Sequence, residues 1–273
     1  MDAVEKFEPT AESLLAVLER LRAPGGCPWD REQTRQTLSR CLAEECAELL
    51  DAIDRDNPED ICEELGDLFM NVLFQCVIAT ERGEFTYRDM AGGIVEKMVR
   101  RHAHIFGTET AETADDVVDL WTKIKAKEKA AAGKPQEQSI LDGVGHYLTS
   151  LNRAEKLQKK AAKVGFDWSS STGIVEKIEE ELAELKEAMA EGDEEHIDEE
   201  IGDLLFVVTN LARFRKRATS EELLRAANRK FESRFRYIER RLAEAGIPLE
   251  KAGIDRMEAL WREAKLQEEK QGC

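Results

Sequence analysis

No stretch of this 273-residue chain approaches the roughly 18 consecutive apolar residues of a membrane-spanning helix. No basic-then-apolar leader precedes Pro9, so a cytoplasmic protein away from membranes is expected. Basic residues are outnumbered, 40 against 57 acidic, and the net charge of −17 argues against duplex nucleic acid or an anionic membrane as main partner. Cys27, Cys41, Cys46, Cys62, Cys76 and Cys273 show no Cys-x-x-Cys spacing and crowd the first third, which excludes a disulfide framework and a cysteine zinc site. Histidine adds little, because His102 and His104 lie two apart and so on different faces of a helix. With only 6 prolines and no long period-two alternation, the chain lacks what would break helices or build strands.

What remains is 42% hydrophobic and 36% charged, the composition of a folded, helix-rich protein long enough for two ordinary domains. Thr10 caps a helix over about Ala11 to Arg22, ended by Pro24-Gly25-Gly26. Cys27-Pro28-Trp29-Asp30 reads as a loop, and a second helix runs from about Thr34 to Arg55. Asn57-Pro58-Glu59-Asp60 starts a third, whose Leu65, Leu68, Phe69, Val72, Leu73, Cys76 and Val77 make a broad apolar face suited to the middle of a bundle. Thr86 starts a fourth, reaching about Arg101. Later helices are expected over about 146–162, 172–191, 194–217, 220–245 and 255–270, with a capping box at Thr219 to Glu222.

The two halves repeat. Glu44, Glu45, Glu48, Glu64, Gly66 and Asp67 recur as Glu180, Glu181, Glu184, Glu200, Gly202 and Asp203 at one constant offset. Lys97, Arg101, Trp121 and Lys125 match Lys230, Arg234, Trp261 and Lys265 with small shifts, and Trp29 has a counterpart in Trp168. The architecture predicted is all-α: two tandem helical-bundle units, 1–129 and 144–273, joined by a low-apolar linker over 130–143.

The acids define the candidate site. Glu181 with Glu184, and Glu200 with Asp203, are i,i+3 pairs on successive helices, and Gly192-Asp193 lets the second fold back on the first. Four converging carboxylates repel unless a cation sits among them, and an all-oxygen set suits Mg²⁺, or Mn²⁺, rather than zinc. Lys177 lies three residues before Glu180, while Lys230 and Arg234 share one helix face. These cations can grip phosphate, and Trp261 offers a plane for a base. Each feature has a plainer reading: acid-rich faces are ordinarily solvated, Lys230 and Arg234 have Glu232 and Glu239 as surface partners, tryptophans anchor packing, and Gly66 and Gly202 allow close helix contact. Duplication of the acid motif at constant spacing is what favours a site.

Glu-Glu-x-x-Glu followed by Glu-x-x-Asp in two copies, with Gly-Cys-Pro-Trp-Asp at 26–30, Val-Gly-Phe-Asp-Trp at 164–168, Arg100-Arg101-His102 and Leu260-Trp261, resembles the MazG-type nucleoside triphosphate pyrophosphohydrolases over nearly the whole chain. The resemblance implies an all-α, dimeric enzyme that uses Mg²⁺ to split nucleoside triphosphates into monophosphate and pyrophosphate, with a broad base range and a role in house-cleaning or control of nucleotide pools. It implies that Glu181, Glu184, Glu200 and Asp203 hold the metal and that Glu180 orients the attacking water. Lys177, Lys230 and Arg234 would hold phosphates, with Trp261 against the base. Glu45, Glu48, Glu64 and Asp67 form a second metal set, but Cys41 takes the place of Lys177, which points to the second unit as the active one. Two departures stand in that unit: His196 in a stretch where the family has a basic or polar contact, and Val207 opposite Asn71. The alternatives are a pyrophosphohydrolase with a dedicated substrate, phosphoribosyl-ATP or dUTP, and a metal-dependent nucleotide-binding regulator without turnover.

Overall fold

The computed structural model describes residues 7–131 and 139–271, and among these the regular structure is entirely helical. Half of the expected linker, 132–138, and Cys273 lie outside the described residues. The chain divides into two compact units, Met1–Lys134 and Pro135–Cys273.

In the first unit the helices are α1 (Ala11–Arg22), α2 (Pro28–Glu32), α3 (Arg35–Asp54), α4 (Pro58–Glu81), α5 (Tyr87–Arg101), α6 (Ala103–Phe106) and α7 (Ala114–Ala131). Side-chain caps set the starts of α1, α3, α4 and α5: Thr10, Thr34, Asn57 and Thr86 each accept from a first-turn N–H. Each such cap is worth about 1 kcal/mol. The stretch expected as a loop at Cys27–Asp30 is largely α2, because Pro28 presets the first helical φ and loses no needed donor there. The core lies between α1, α3 and α4, where Leu18, Leu38, Leu73, Phe74, Val77 and Ile78 are buried. The apolar face of α4 is therefore covered only over its second half. Leu65 and Phe69, expected in mid-bundle, are 50% and 41% exposed, although α4 packs on α1, α3 and α5.

The second unit consists of α8 (Ser150–Ala162), α9 (Ser171–Glu191), α10 (Glu194–Arg215), α11 (Ser220–Glu244), a 3-10 turn at Leu249–Lys251 and α12 (Ile254–Gln271). Helix α8 begins four residues later than expected, at the Thr149 cap, and the Thr219–Glu222 capping box is formed. Helix α10 packs on α9 and α8, and α11 packs on α12, α8 and, more lightly, α10. Helix α9 packs on α10 and on no other described helix of its unit. Its outer residues Leu182 and Met189, with Ile201, Leu205 and Val208 of α10, remain exposed. Among the described residues of their own units, Gly66 and Gly202 serve no close helix contact, because a Cβ built on either meets nothing within 4 Å.

Candidate functional site

A left-handed Gly192 (φ 74°) closes α9, and Asp193 opens α10 by accepting from the His196 N–H at 3.2 Å. The chain folds back at once into a helical hairpin. That hairpin brings one carboxylate oxygen from each of Glu181, Glu184 and Glu200 within 4.8 Å of the others. Glu181 and Glu200 are buried, 5% and 7% exposed. Oε1 of Glu200 lies 3.0 Å from Nε2 of His196, while its Oε2 is buried with no hydrogen-bond partner. Burial, then the charge of Glu184 and contact with Glu181, raise the Glu200 carboxyl above its ordinary pKa, and His196 opposes that rise in part. Nζ of Lys177 sits 2.7 Å from Glu180 and 2.8 Å from Glu181, and the bond to Glu180, then that to Glu181, raises its pKa. Asp203 lies outside the converged triad.

An all-carboxylate donor set with an unsatisfied buried oxygen fits a hard divalent cation. Lys177 already supplies one positive charge to this cluster, but by reaching Glu180 and Glu181 from one side.

The first unit repeats the convergence without the lysine. Oxygens of Glu45, Glu48 and Glu64 lie within 4.8 Å of one another, with Asp67 outside the triad. Oε2 of Glu64 is buried without a partner. Burial first, then neighbouring acids, raises the pKa of both Glu45 and Glu64. Buried Asn71 donates to the Asp67 carbonyl at 3.1 Å, a bond that Val207 cannot make in the second unit.

The remaining expected groups gather elsewhere in the second unit. Arg234 donates to Glu268 at 2.7 and 2.9 Å, and its guanidinium lies 5.4 Å from the Trp261 ring centre, with Phe231 at 5.3 Å from the same ring. Lys230, one turn earlier, is exposed. These residues ride on the α11–α12 pair, which has no packing contact with α9. One unit therefore presents two groups, an acid triad and a cation–aromatic pair, rather than one closed site.

The first unit has the same second group. Arg101 and Arg100 each reach Glu128 at 2.7 Å, which holds that carboxyl at a pKa of about 2. Lys125 lies 5.6 Å from the Trp121 ring centre, and His102 meets that ring edge-on at 5.1 Å. Sequence reasoning missed the two glutamates, although each follows its tryptophan by two helical turns in both copies. His102 and His104 form no metal pair with acids; Nδ1 of His102 instead lies 2.7 Å from the Met98 carbonyl.

Two carboxylate-rich helical hairpins in tandem are the pattern of one family. The MazG nucleotide pyrophosphohydrolase domain matches residues 33–106 and 169–238, and the chain belongs to that family. It is 42% identical over 254 residues to the nucleoside triphosphate pyrophosphohydrolase/pyrophosphatase MazG of Thermotoga maritima, covering 93% of this chain and 95% of that protein. It is 40% identical over 260 residues to the nucleoside triphosphate pyrophosphohydrolase of Escherichia coli K12, covering 94% and 97%. The uncharacterized protein YabN of Bacillus subtilis is 44% identical over 92% of this chain, which spans 50% of that protein. The expectations of an all-α fold and of tandem MazG domains are thus met. No described helix is long and apolar enough to cross a membrane.

Proposed function

We propose that this protein hydrolyses nucleoside triphosphates to nucleoside monophosphate and pyrophosphate, using Mg²⁺, or Mn²⁺, at the acid triad of the second unit. The observation that carries this reading is the convergence of Glu181, Glu184 and Glu200 around a buried oxygen that has no partner. The names of the relatives from Thermotoga maritima and Escherichia coli support the same reaction. Those three residues would hold the cation, and Asp203, three residues after Glu200 on α10, is the fourth ligand the family resemblance implies. The cation supplies charge neutralisation at the phosphates and makes water more acidic.

The protein's own groups do the rest. Glu180, exposed beside the triad, orients the water that attacks the α-phosphorus, and the bond from that phosphorus to the bridging oxygen of pyrophosphate breaks. Lys177, released from Glu180 and Glu181, neutralises phosphate oxygens, and Arg234 and Lys230 grip the phosphate tail with Trp261 beneath the guanidinium. Because α9 leaves its outer face bare and does not meet α11 or α12, a homodimer is the form in which the two groups would meet. The base range is broad, and the work is cytoplasmic house-cleaning or control of nucleotide pools.

Product analysis by anion-exchange chromatography tests this reading. Incubation with Mg²⁺ and mixed nucleoside triphosphates should give monophosphate and pyrophosphate, and Glu181→Gln with Glu184→Gln should abolish both. Diphosphate and phosphate as products would refute attack at the α-phosphorus.

A further inference from the structure

The two oxygens of Glu200 have different surroundings. Oε1 lies 3.0 Å from Nε2 of His196, four residues earlier on α10, and Oε2 is buried with no hydrogen-bond partner. A carboxylate oxygen only accepts, so the imidazole serves Oε1 with its proton on Nε2, and the neutral ring suffices for that. The carboxyl group is rigid and planar. A bond to one of its oxygens therefore sets where the other one points. A glutamate side chain otherwise turns about several torsions, and a ligand that had to freeze them would bear the entropy loss at binding.

The histidine is itself held in place. Its main-chain N–H donates to Asp193 at 3.2 Å in the first turn of α10, and its side chain is 41% exposed while Glu200 is buried. The imidazole thus stands at the solvent edge of the cluster. It is not one of the groups that converge, since those are Glu181, Glu184 and Glu200. Lys177 stands toward Glu181 as His196 stands toward Glu200, four residues before it and 2.8 Å away. Each of the two buried acids of the triad has a donor one helical turn behind it.

The first unit keeps the acids and lacks both donors. The offset that pairs Glu64 with Glu200 puts Cys41 opposite Lys177 and Asp60 opposite His196. Asp60 is turned to Arg55 at 3.0 Å, and an ionised carboxylate has no proton to give to Glu64. Oε2 of Glu64 is nevertheless buried without a partner, as Oε2 of Glu200 is. The unsatisfied oxygen is common to the two units, and the histidine is what differs.

We infer that His196 is a positioning residue for the cation of the second unit: its Nε2–H holds Oε1 of Glu200 so that Oε2 is presented to a divalent metal ion. The inference rests on the function proposed above for its choice of cation. A donor behind a metal ligand is worth about 10–100-fold in metal affinity, because it orients the ligand before the ion arrives.

The test is Mn²⁺ binding to the full chain without nucleotide, followed by the electron paramagnetic resonance signal of free Mn²⁺. Glu45→Gln and Glu48→Gln are present throughout, so that the first triad does not contribute. His196→Leu should weaken binding about tenfold, whereas His196→Gln, whose amide N–H can reach Oε1, should stay within about twofold of the parent. Circular dichroism and thermal melting check that each variant is folded, and His196→Ala replaces His196→Leu if the latter is not. An unchanged affinity in His196→Leu, an equal loss in His196→Gln, or no Mn²⁺ binding in the parent overturns the inference. A raised KM for nucleoside triphosphate with unchanged Mn²⁺ affinity would make His196 a phosphate contact and overturn it as well. Product analysis is run separately on the same proteins. Histidine-dependent Mn²⁺ binding with no pyrophosphate formed would sink the proposed reaction and leave the role of His196 standing. Pyrophosphate formation with histidine-independent Mn²⁺ binding would do the reverse.

Discussion

The two units are built from one plan and differ where a ligand would be handled. Both converge three glutamates across a helical hairpin, and both hold an arginine on a glutamate of their last helix, two turns after a tryptophan. The second supplies a lysine to the triad, places a histidine on Glu200, and has a cavity beside its tryptophan turn. The first has Cys41 at the lysine position and closes the corresponding wall with the Arg22–Glu81 pair. Conserving the acids while changing the groups around them separates the power to hold a cation from the power to process what the cation carries.

That contrast can be broken most directly at the acids. Glu200→Gln should lower pyrophosphate release by at least about a hundredfold, since losses in metal sites reach that size even for groups behind the ligands. Glu64→Gln should lower it little. Equal losses, read by the product assay above, would show that both hairpins turn over. A smaller effect is expected at the wall of the first unit. Arg22→Ala removes a largely buried guanidinium that bonds Glu81 and two main-chain carbonyls, and should cost about 2–3 kcal/mol in urea unfolding. No change in the unfolding midpoint would mean that the closed wall is not structural.

The smallest effect is a pH dependence at Glu128. Arg101 and Arg100 lower its folded pKa to about 2, below the value near 4.5 of the unfolded chain. The native state thus binds fewer protons between these values, so the stabilisation is complete above about pH 4.5 and disappears as pH falls toward 2. Glu128→Gln should melt slightly below wild type at pH 7, and the difference should close in acid. A difference that persists at pH 2 would assign the loss to packing instead.

Much of this was readable in the chain. Thr10, Thr34, Asn57, Thr86 and Thr219 announced helix starts because a capping oxygen acts on N–H groups within one turn of itself. That the two acid-bearing helices meet is readable as well, since a short break between them folds one back on the other. Three features were not. The α2 turn reads as a loop in the sequence, because a five-residue helix has too little periodicity to show. The exposure of Leu65 and Phe69 depends on what lies over them, and apolar spacing along a helix names a face without naming its cover. The cavity depends on three elements at once.

Local chemistry therefore determined, from the sequence alone, the helices, their caps, the tandem plan and the carboxylates that gather. Tertiary structure decided which of those acids converge, since Asp203 and Asp67 fall outside triads that spacing alone would include. It also decided that Lys177 rests on Glu180 and Glu181, that Arg234 is held by Glu268, and that Gln158 keeps an oxygen without a partner. Distances between side chains on separate helices follow from packing angle and rotamer, and no periodicity along one chain encodes them.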